Sequence, residues 1–264
     1  MRRCTIRACA RVLVSVGLFL TAPSWVPAQD LFEIQVYPSE TMEPRHTMFE
    51  FHLNTFPKGT QSTESGVYAN NHQVHMTMEV THGLTKYWEL GGYLVSAIVP
   101  DVGAEFVGGR IRPRFQAPPG WKLPFHFSLS TEVDFNREHF DANSITLELR
   151  PIIDKQAGKW YFSINPSFEK SLRGPDAHAG FDFEPSIKVS YNLTRRIAAG
   201  VEYYAGMGTV TDLYALHDQH HAIFPTIDLD ISPDWEFNFG VGRGLTGTSE
   251  QWVVKCIIGR RFKF

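Results

Sequence analysis

Charged residues recur at every second position in several stretches of this chain. The clearest example is the run Arg110, Arg112 and Arg114. Side chains on a β-strand point to opposite faces with a period of two, so these three guanidinium groups share one face. The same alternation continues in later stretches. The set predicted to line an interior comprises Arg110, Arg112, Arg114, Glu132, Asp134, Glu148, Arg150, Asp182, Glu184, Lys188, Asp228 and Asp230.

Two interpretations of these charges stay open at the level of the sequence. A basic ladder that faces acidic neighbours across a narrow channel orients polar solutes as they pass. Alternatively, the charges pair with one another and fill the interior. They would then stabilise a structure that conducts nothing.

Catalytic chemistry has weaker candidates. Ser128 and Ser130 share a strand face with His126, and a serine beside a histidine base is the centre of many hydrolases. Their spacing is that of ordinary strand alternation, so it carries no catalytic signal of its own. We therefore predict no catalytic site.

A histidine-containing stretch offers a candidate metal site. His217 is followed by His220 and His221, and Asp212 and Asp218 are close in sequence. These ligand types suit zinc or copper. A polar loop of this kind more often binds nothing, so we predict no metal and no other cofactor.

Further candidate ligands lie near the start of the chain. Glu50 and His52 share one face of the first predicted strand, and His75 and Glu79 share one face of the second. Neighbouring strands can bring such side chains together. His126 would have to approach them across the interior.

The elements that carry these residues are strands. Alternating patterns predict strands at 46–56, 71–81, 87–99, 108–116, 125–136, 145–153, 160–168, 181–193, 197–206, 221–231, 235–245 and 252–264. In most of them one face is apolar and the other carries charges. Most of these lengths are about 9 to 11 residues or more, which suits tilted strands that cross a membrane. Prolines inside several strands predict bulges or shifted boundaries.

The connections and aromatic residues favour a membrane barrel over a soluble sandwich. Short turns near residues 84, 120, 156, 195 and 233 alternate with longer polar loops, as in transmembrane barrels. Trp88, Trp121, Trp160 and Trp235 follow the short turns and would form an aromatic girdle at one membrane boundary. The predicted fold is all-β, a transmembrane antiparallel up-and-down β-barrel of about 12 strands over residues 46–264.

The amino-terminal residues predict export. Residues 1–28 combine a basic start, a short apolar core and the cleavage site Val26-Pro27-Ala28, which are the parts of a signal peptide. Residues 29–45 are then predicted to be a periplasmic lead-in segment. The signal peptide contains four of the 25 basic residues and none of the 28 acidic ones. The mature chain therefore has a net negative charge, which argues against a nucleic-acid partner. Cys256 is the one cysteine that remains, so no intramolecular disulfide is possible.

The carboxyl-terminal stretch WVVKCIIGRRFKF alternates strictly and ends on Phe262 and Phe264. This ending resembles the last strand of bacterial outer-membrane barrels. The resemblance implies that the two phenylalanines are read by the barrel-assembly machinery of a Gram-negative-type bacterium, and that outer-membrane lipid surrounds the protein. Arg260 departs from the pattern, but a long side chain near a strand end can reach the headgroups.

A second resemblance concerns the hairpins. The rhythm Leu-Thr-x-x-Trp-Glu-Leu-Gly at residues 84–91, with echoes at 192–200 and 233–240, is similar to that of the phenol-degradation (MetA-pathway) transporter-like barrels. This resemblance implies passage of a small molecule. We therefore expect an outer-membrane channel or binding pore for small polar or aromatic solutes. The alternatives are a non-conducting structural or adhesion barrel and a lipid-modifying outer-membrane enzyme.

Overall fold

A computed structural model describes residues 30–62 and 66–263 of the 264-residue chain. The predicted signal peptide, the predicted new terminus Gln29 and Phe264 lie outside the described residues. Twelve long strands follow one another: β1 (His46–Lys58), β2 (Val74–Thr85), β3 (Trp88–Val99), β4 (Gly103–Gln116), β5 (His126–Asn136), β6 (Ile145–Ala157), β7 (Trp160–Arg173), β8 (Asp182–Asn192), β9 (Ile197–Gly206), β12 (His220–Ser232), β13 (Trp235–Gly244) and β14 (Trp252–Lys263). Two short strands, β10 (Gly208–Thr209) and β11 (Asp212–Leu213), lie in the connection between β9 and β12.

The long strands form a closed antiparallel barrel. Each pairs with the next along the chain, β9 pairs with both β8 and β12, and β14 returns to pair with β1. Closure gives the backbone groups of every strand a partner within the protein, which a lipid environment requires. The predicted all-β, up-and-down barrel of 12 strands is confirmed.

The barrel carries its apolar side chains on the outside. Phe49 and Leu53 of β1 are exposed, whereas Glu50, His52 and Asn54 of the same strand are buried. A soluble barrel would show the opposite arrangement, because apolar surface in water costs free energy. The inverted arrangement is that of a barrel in lipid.

Connections of different length mark the two ends of the barrel. The turn end carries the connections 86–87, 117–125, 158–159, 193–196 and 233–234. The first residue of β1 and the last residue of β14 also lie at this end, where they pair with each other. A 3₁₀ helix, Pro119–Trp121, lies in the second of these connections. The loop end carries the connections 59–73, 100–102, 137–144, 174–181, 207–219 and 245–251. None of the described helices has the length and apolarity to cross a membrane.

The strands continue through their prolines without a register shift, although the pairing is interrupted on one side: residues 224–225 of β12 have no partner in β13, and residues 112–113 of β4 have none in β5. Pro166 of β7 lies directly opposite Pro185 of β8, and Pro225 of β12 lies opposite Val201 of β9. Register shifts occur elsewhere, for example between Val95 and Ser96. The expectation that prolines mark bulges or strand boundaries is therefore wrong at these positions.

The lead-in segment is not a periplasmic tail. Residues 30–43 run inside the barrel from the loop end to the turn end, and we call this stretch the inner segment. Phe32, Ile34, Val36 and Tyr37 are buried there. A tail in water would expose these apolar side chains, while the lumen buries them, so the prediction of a periplasmic lead-in over residues 29–45 is corrected.

A close approach on the inner wall allows a test of this packing. A Cβ atom added to Gly242 of β13 would lie 2.3 Å from ring atoms of Phe224, which is itself buried beside Ile34 and Val36. We expect Gly242→Val to lower the free energy of unfolding by about 1–3 kcal/mol, because overpacking forces the ring aside. Urea unfolding followed by tryptophan fluorescence measures the change.

Gly92→Val is the matched control, since no atom lies within 4 Å of its added Cβ. The control is expected to unfold at the urea concentration of the wild type. Equal midpoints for both variants would contradict the packing described for the inner wall.

Candidate functional site: the occupied lumen

Strand alternation points the three arginines of β4 into the lumen, where all are buried. Arg110 contacts four carboxylates. It pairs with Asp30 and with Glu33 (3.1 Å) of the inner segment, and with Glu132 (3.5 Å) and Asp134 (3.7 Å) of β5. Because a buried guanidinium is costly without acceptors, the inner segment and the wall depend on each other here.

Arg112 and Arg114 are held by Glu89. Arg112 lies 3.2 Å from Glu89, and Arg114 lies 2.6 Å from it. Arg112 also contacts Glu79 and the hydroxyl of Tyr93. Arg114 donates to two backbone carbonyls of the inner segment, at residues 38 and 40, over 3.1 and 3.0 Å.

A second charged group lies across the lumen from β4. Glu202 of β9 accepts from Lys188 (3.1 Å), from Lys255 and from the hydroxyl of Tyr204 (2.6 Å). Lys188 also reaches Asp228 at 2.8 Å. Lys255 has no exposed surface, so its charge is balanced within the protein alone.

Isolated side-chain contacts, rather than a β-ladder, hold the inner segment. In its loop-end half, the carbonyl of Leu31 accepts from Asn54 (3.1 Å) and that of Phe32 accepts from Thr77 (3.0 Å). The carbonyl of Ile34 accepts from Lys255 (3.0 Å). Just beyond the segment, an isolated β-bridge joins Pro44 to Gly83 of β2.

The centre of the inner segment is the Tyr37 ring. The guanidinium carbons of Arg150, Arg112 and Arg114 lie 4.8, 5.0 and 5.6 Å from the ring centroid. Cation–π attraction is expected at these distances. The backbone at Tyr37 is fixed on β7, since its N–H donates to Asn165 (2.7 Å) and its carbonyl accepts from Asn165 (3.1 Å) and Ser163 (2.8 Å).

Polar contacts also hold the turn-end half of the segment. The backbone N–H of Ser39 donates to Asp154, and that of Thr41 donates to Gln116 over 2.9 Å. The Thr41 hydroxyl reaches the same Gln116 oxygen. The segment is therefore tied to the wall along its whole length.

Loop residues cover the segment at the loop end. Phe140 contacts Phe32 edge to face at 6.1 Å between ring centroids, and it also contacts Tyr68. Burial raises the pKa of the neighbouring Asp141 to about 6, because desolvation disfavours its charged form. Burial likewise raises the pKa of Glu250, which accepts from Asn70 over 2.9 Å.

The structure brings most of the predicted interior residues together. Arg110, Arg112, Arg114, Glu132, Asp134, Glu148, Arg150 and Lys188 are buried in the lumen. Asp182, Glu184 and Asp228 are half-buried on the same wall. Asp230 is exposed at the turn end, so its predicted place in the lumen lining is corrected. Strand alternation continues to Asp230, but the interior ends before it.

The predicted girdle residues all lie at the turn end. Trp88, Trp160 and Trp235 begin β3, β7 and β13, and Trp121 ends the 3₁₀ helix. Arg260 lies between two aromatic rings on the outer face, 5.0 Å from Trp235 and 4.7 Å from Phe262. The roles of the tryptophans at a membrane boundary and of Phe262 in assembly stay predictions.

The catalytic and loop-metal candidates are not assembled. The imidazole of His126 faces Asp154, with 3.0 Å between the two groups, and the hydroxyls of Ser128 and Ser130 have no hydrogen-bond partner.

The three loop histidines are engaged separately. His217 is exposed and pairs with Asp218 at 3.2 Å, His221 bonds Tyr203 and Gln219, and His220 is buried. Among the described residues they do not form a three-ligand group with one another.

Sequence reasoning missed the inner segment and the acceptors that it brings. The stretch Phe32 to Val36 alternates apolar and polar residues like a strand, and this pattern was the available signal. Tyr93 and Glu89 were missed for another reason. Their strand is apolar on both faces, so its inward side chains did not stand out.

Solved outer-membrane structures share this fold. An outer membrane channel from Pseudomonas putida F1 aligns with a TM-score of 0.57 at 10% identity, over 87% of this chain and 100% of that chain. The NanC porin aligns at 0.53 and 10% identity over 82% and 100% of the two chains, and the KdgM porin at 0.52 and 8% over 82% and 99%. Fold and inverted surface together define a β-barrel of the outer-membrane class.

The sequence also identifies the protein family. Residues 108–255 match the family model described as "Putative MetA-pathway of phenol degradation". This match spans more than half of the chain, and the chain belongs to that family. No curated protein matches the sequence.

The charged group around Glu202 allows a test of the lumen network. We expect Lys255→Met to lower the free energy of unfolding by about 3 kcal/mol, because it leaves Glu202 buried with Lys188 as its one remaining cation. The double variant Lys255→Met/Glu202→Gln should lose less than the sum of the single losses. Urea unfolding of the refolded barrel measures all three variants.

The exposed Lys159 provides the control, since Lys159→Met should change stability by no more than about 0.5 kcal/mol. Additive losses at residues 255 and 202 would contradict the contact between them.

Proposed function

We propose that this protein is an outer-membrane channel for small aromatic or polar solutes, and that its inner segment closes the channel in the conformation described here. Passage then requires the segment to move within the lumen or out of it. The turn end faces the periplasm and the loop end faces the outside. No enzymatic step is part of this proposal.

The observation that carries the proposal is the environment of Tyr37. A phenol ring lies among three guanidinium groups of the wall. Its backbone is held by three hydrogen bonds, one from its N–H to Asn165 and two to its carbonyl from Asn165 and Ser163. A solute with an aromatic ring can make the same cation–π contacts when Tyr37 leaves. Tyr37 thus occupies the place that a phenol-like solute would take.

Polar contacts along the inner segment support its displacement. Most of them are hydrogen bonds between wall side chains and backbone carbonyls or N–H groups of the segment, and water or a polar solute can replace such bonds at modest net cost. A strand of the barrel could not leave in this way, because its whole ladder would break. The family described for phenol degradation and the fold of a channel and of porins agree with passage of a small molecule.

The outer surface supports a place in the outer membrane. Exposed apolar side chains contact lipid, and the tryptophans of the turn end lie at the periplasmic boundary. Residues 1–28 direct export, and Phe262 with Phe264 present the last strand to the assembly machinery. These roles follow from the sequence patterns and stay proposals.

A second candidate function is a non-conducting structural barrel. The dense pairing of buried charges around Arg110 and Glu202 favours it, since such networks rigidify an interior. In that case the inner segment is a permanent filling and nothing passes.

Single-channel recording in planar bilayers decides between the two candidates. We expect the refolded mature chain to show rare openings. Tyr37→Ala should raise the open fraction about tenfold, because about 1.4 kcal/mol of ring contacts holding the segment is lost. Phenol added to the bath should reduce the current of the Tyr37→Ala channel by taking up the vacated place.

Tyr191→Ala is the matched control, because this tyrosine packs against Trp160 rather than in the lumen. It should behave as the wild type does. If folded, heat-modifiable barrels of all three proteins gave no conductance steps, the channel proposal would fail and the structural barrel would stand.

A further inference from the structure

Three potential metal ligands meet on the inner wall near the turn end. Glu50 and His52 lie two residues apart on β1, and Glu79 lies directly opposite Glu50 on β2. One ligand atom from each residue falls within 4.8 Å of the others, and all three side chains are buried. Glu79 also pairs with Arg112 in the lumen network described above, whereas Glu50 and His52 have no part in that network.

The two carboxylates are not balanced equally. One oxygen of Glu79 accepts hydrogen bonds from Arg112 and from the Thr81 hydroxyl (2.6 Å). Its other oxygen accepts none from the described residues. Oxygen Oε1 of Glu50 also has no hydrogen bond. Among the described residues no arginine or lysine forms an ion pair with Glu50, and like charges directly opposite on a sheet repel each other.

His52 is the independent observation that points to a ligand. Its side chain is 1% exposed, and neither ring nitrogen has a hydrogen-bond partner within residues 30–62 and 66–263. Its Nε2 atom faces the free oxygen of Glu79 at 3.6 Å, which is longer than a hydrogen bond. Buried imidazoles are normally bonded, and this one is aimed at two carboxylates with unused oxygen atoms.

Space beside the group is provided by Gly259 of β14. Gly259 lies between Glu50 and Glu236 in the paired strands. A Cβ atom there would come within 3.0 Å of the Cγ atoms of both glutamates. The missing side chain lets Glu236 approach Glu50, so a further carboxylate stands next to the three ligands.

We propose that Glu50, His52 and Glu79 bind a divalent first-row transition-metal ion such as Zn²⁺. One imidazole and two carboxylates are the ligand types that zinc accepts, with a fourth position open to water or Glu236. Calcium prefers six to eight oxygen ligands and magnesium an oxygen octahedron, so both fit this set less well. Ligand atoms on one zinc ion lie about 3–4 Å from each other. The distances between the three ligand atoms, up to 4.8 Å here, would therefore shorten by about 1 Å when the ion binds.

The ion would balance the charge of Glu50 and supply the partner that His52 lacks. It would also join β1 to β2 beside the seam where β14 closes the barrel. The alternative is that a proton shared by the two carboxylates relieves their repulsion, in which case no metal binds.

Metal binding to the untagged mature barrel tests the proposal. The chain is refolded, stripped with chelator and titrated with Zn²⁺ by calorimetry, and with Co²⁺ by visible absorption, whose intensity distinguishes a four-coordinate site from the hydrated ion. We expect one equivalent to bind. His52→Ala and Glu50→Gln should each weaken binding at least about tenfold. Saturating Zn²⁺ should raise the unfolding midpoint of the wild type and of neither variant.

His82→Ala is the matched control, because His82 lies on β2 outside the group and bonds Thr47. It should bind both ions as the wild type does. The proposal is overturned if the folded wild type binds neither ion, or if His52→Ala binds both as tightly as His82→Ala does. Conductance plays no part in this test, so its outcome is separate from that of the channel proposal.

Discussion

The structure depends on one constraint, which is that a barrel with an apolar outside must satisfy its charged inside without help from the surroundings. Arg110 shows how this is done. The guanidinium meets two carboxylates of the wall and two of the inner segment. Removing charges from water costs several kcal/mol per ion, so the wall needs the acceptors of residues 30–43. The segment in turn buries Phe32, Ile34 and Val36 only because the lumen is there.

The same constraint explains how a closed lumen is compatible with passage. The inner segment meets the wall through separate hydrogen bonds, through the ion pairs of Asp30 and Glu33 with Arg110, and through the Tyr37 ring, and not through a ladder. Each hydrogen bond between neutral groups contributes about 0.5–1.5 kcal/mol net. A solute that offers a ring and polar atoms can replace the central contacts one at a time. The barrel wall keeps its register throughout, because no strand takes part in the exchange.

The sequence predicted the strands well because alternation with period two is direct evidence for a two-faced sheet. All twelve long strands and most of the lumen charges follow from it. The inner segment shows the limit of the pattern, since alternation over residues 32–36 is the same whether a stretch lies inside or outside a barrel. The same pattern misplaced Asp230, because periodicity does not say where the interior ends. Glu50, His52 and Glu79 could be foreseen as neighbours, but their missing partners are a matter of three-dimensional contacts.

The central claim is that residues 30–43 occupy the lumen, and the chemical accessibility of Ser39 tests it most directly. In a Cys256→Ser background, Ser39→Cys is compared with Lys159→Cys, which is exposed at the turn end. A membrane-impermeant maleimide is added to the refolded barrel. We predict rapid labelling at residue 159 and slow labelling at residue 39, because Ser39 is buried beside Asp154. Equally rapid labelling at both positions would show a free tail and contradict the account.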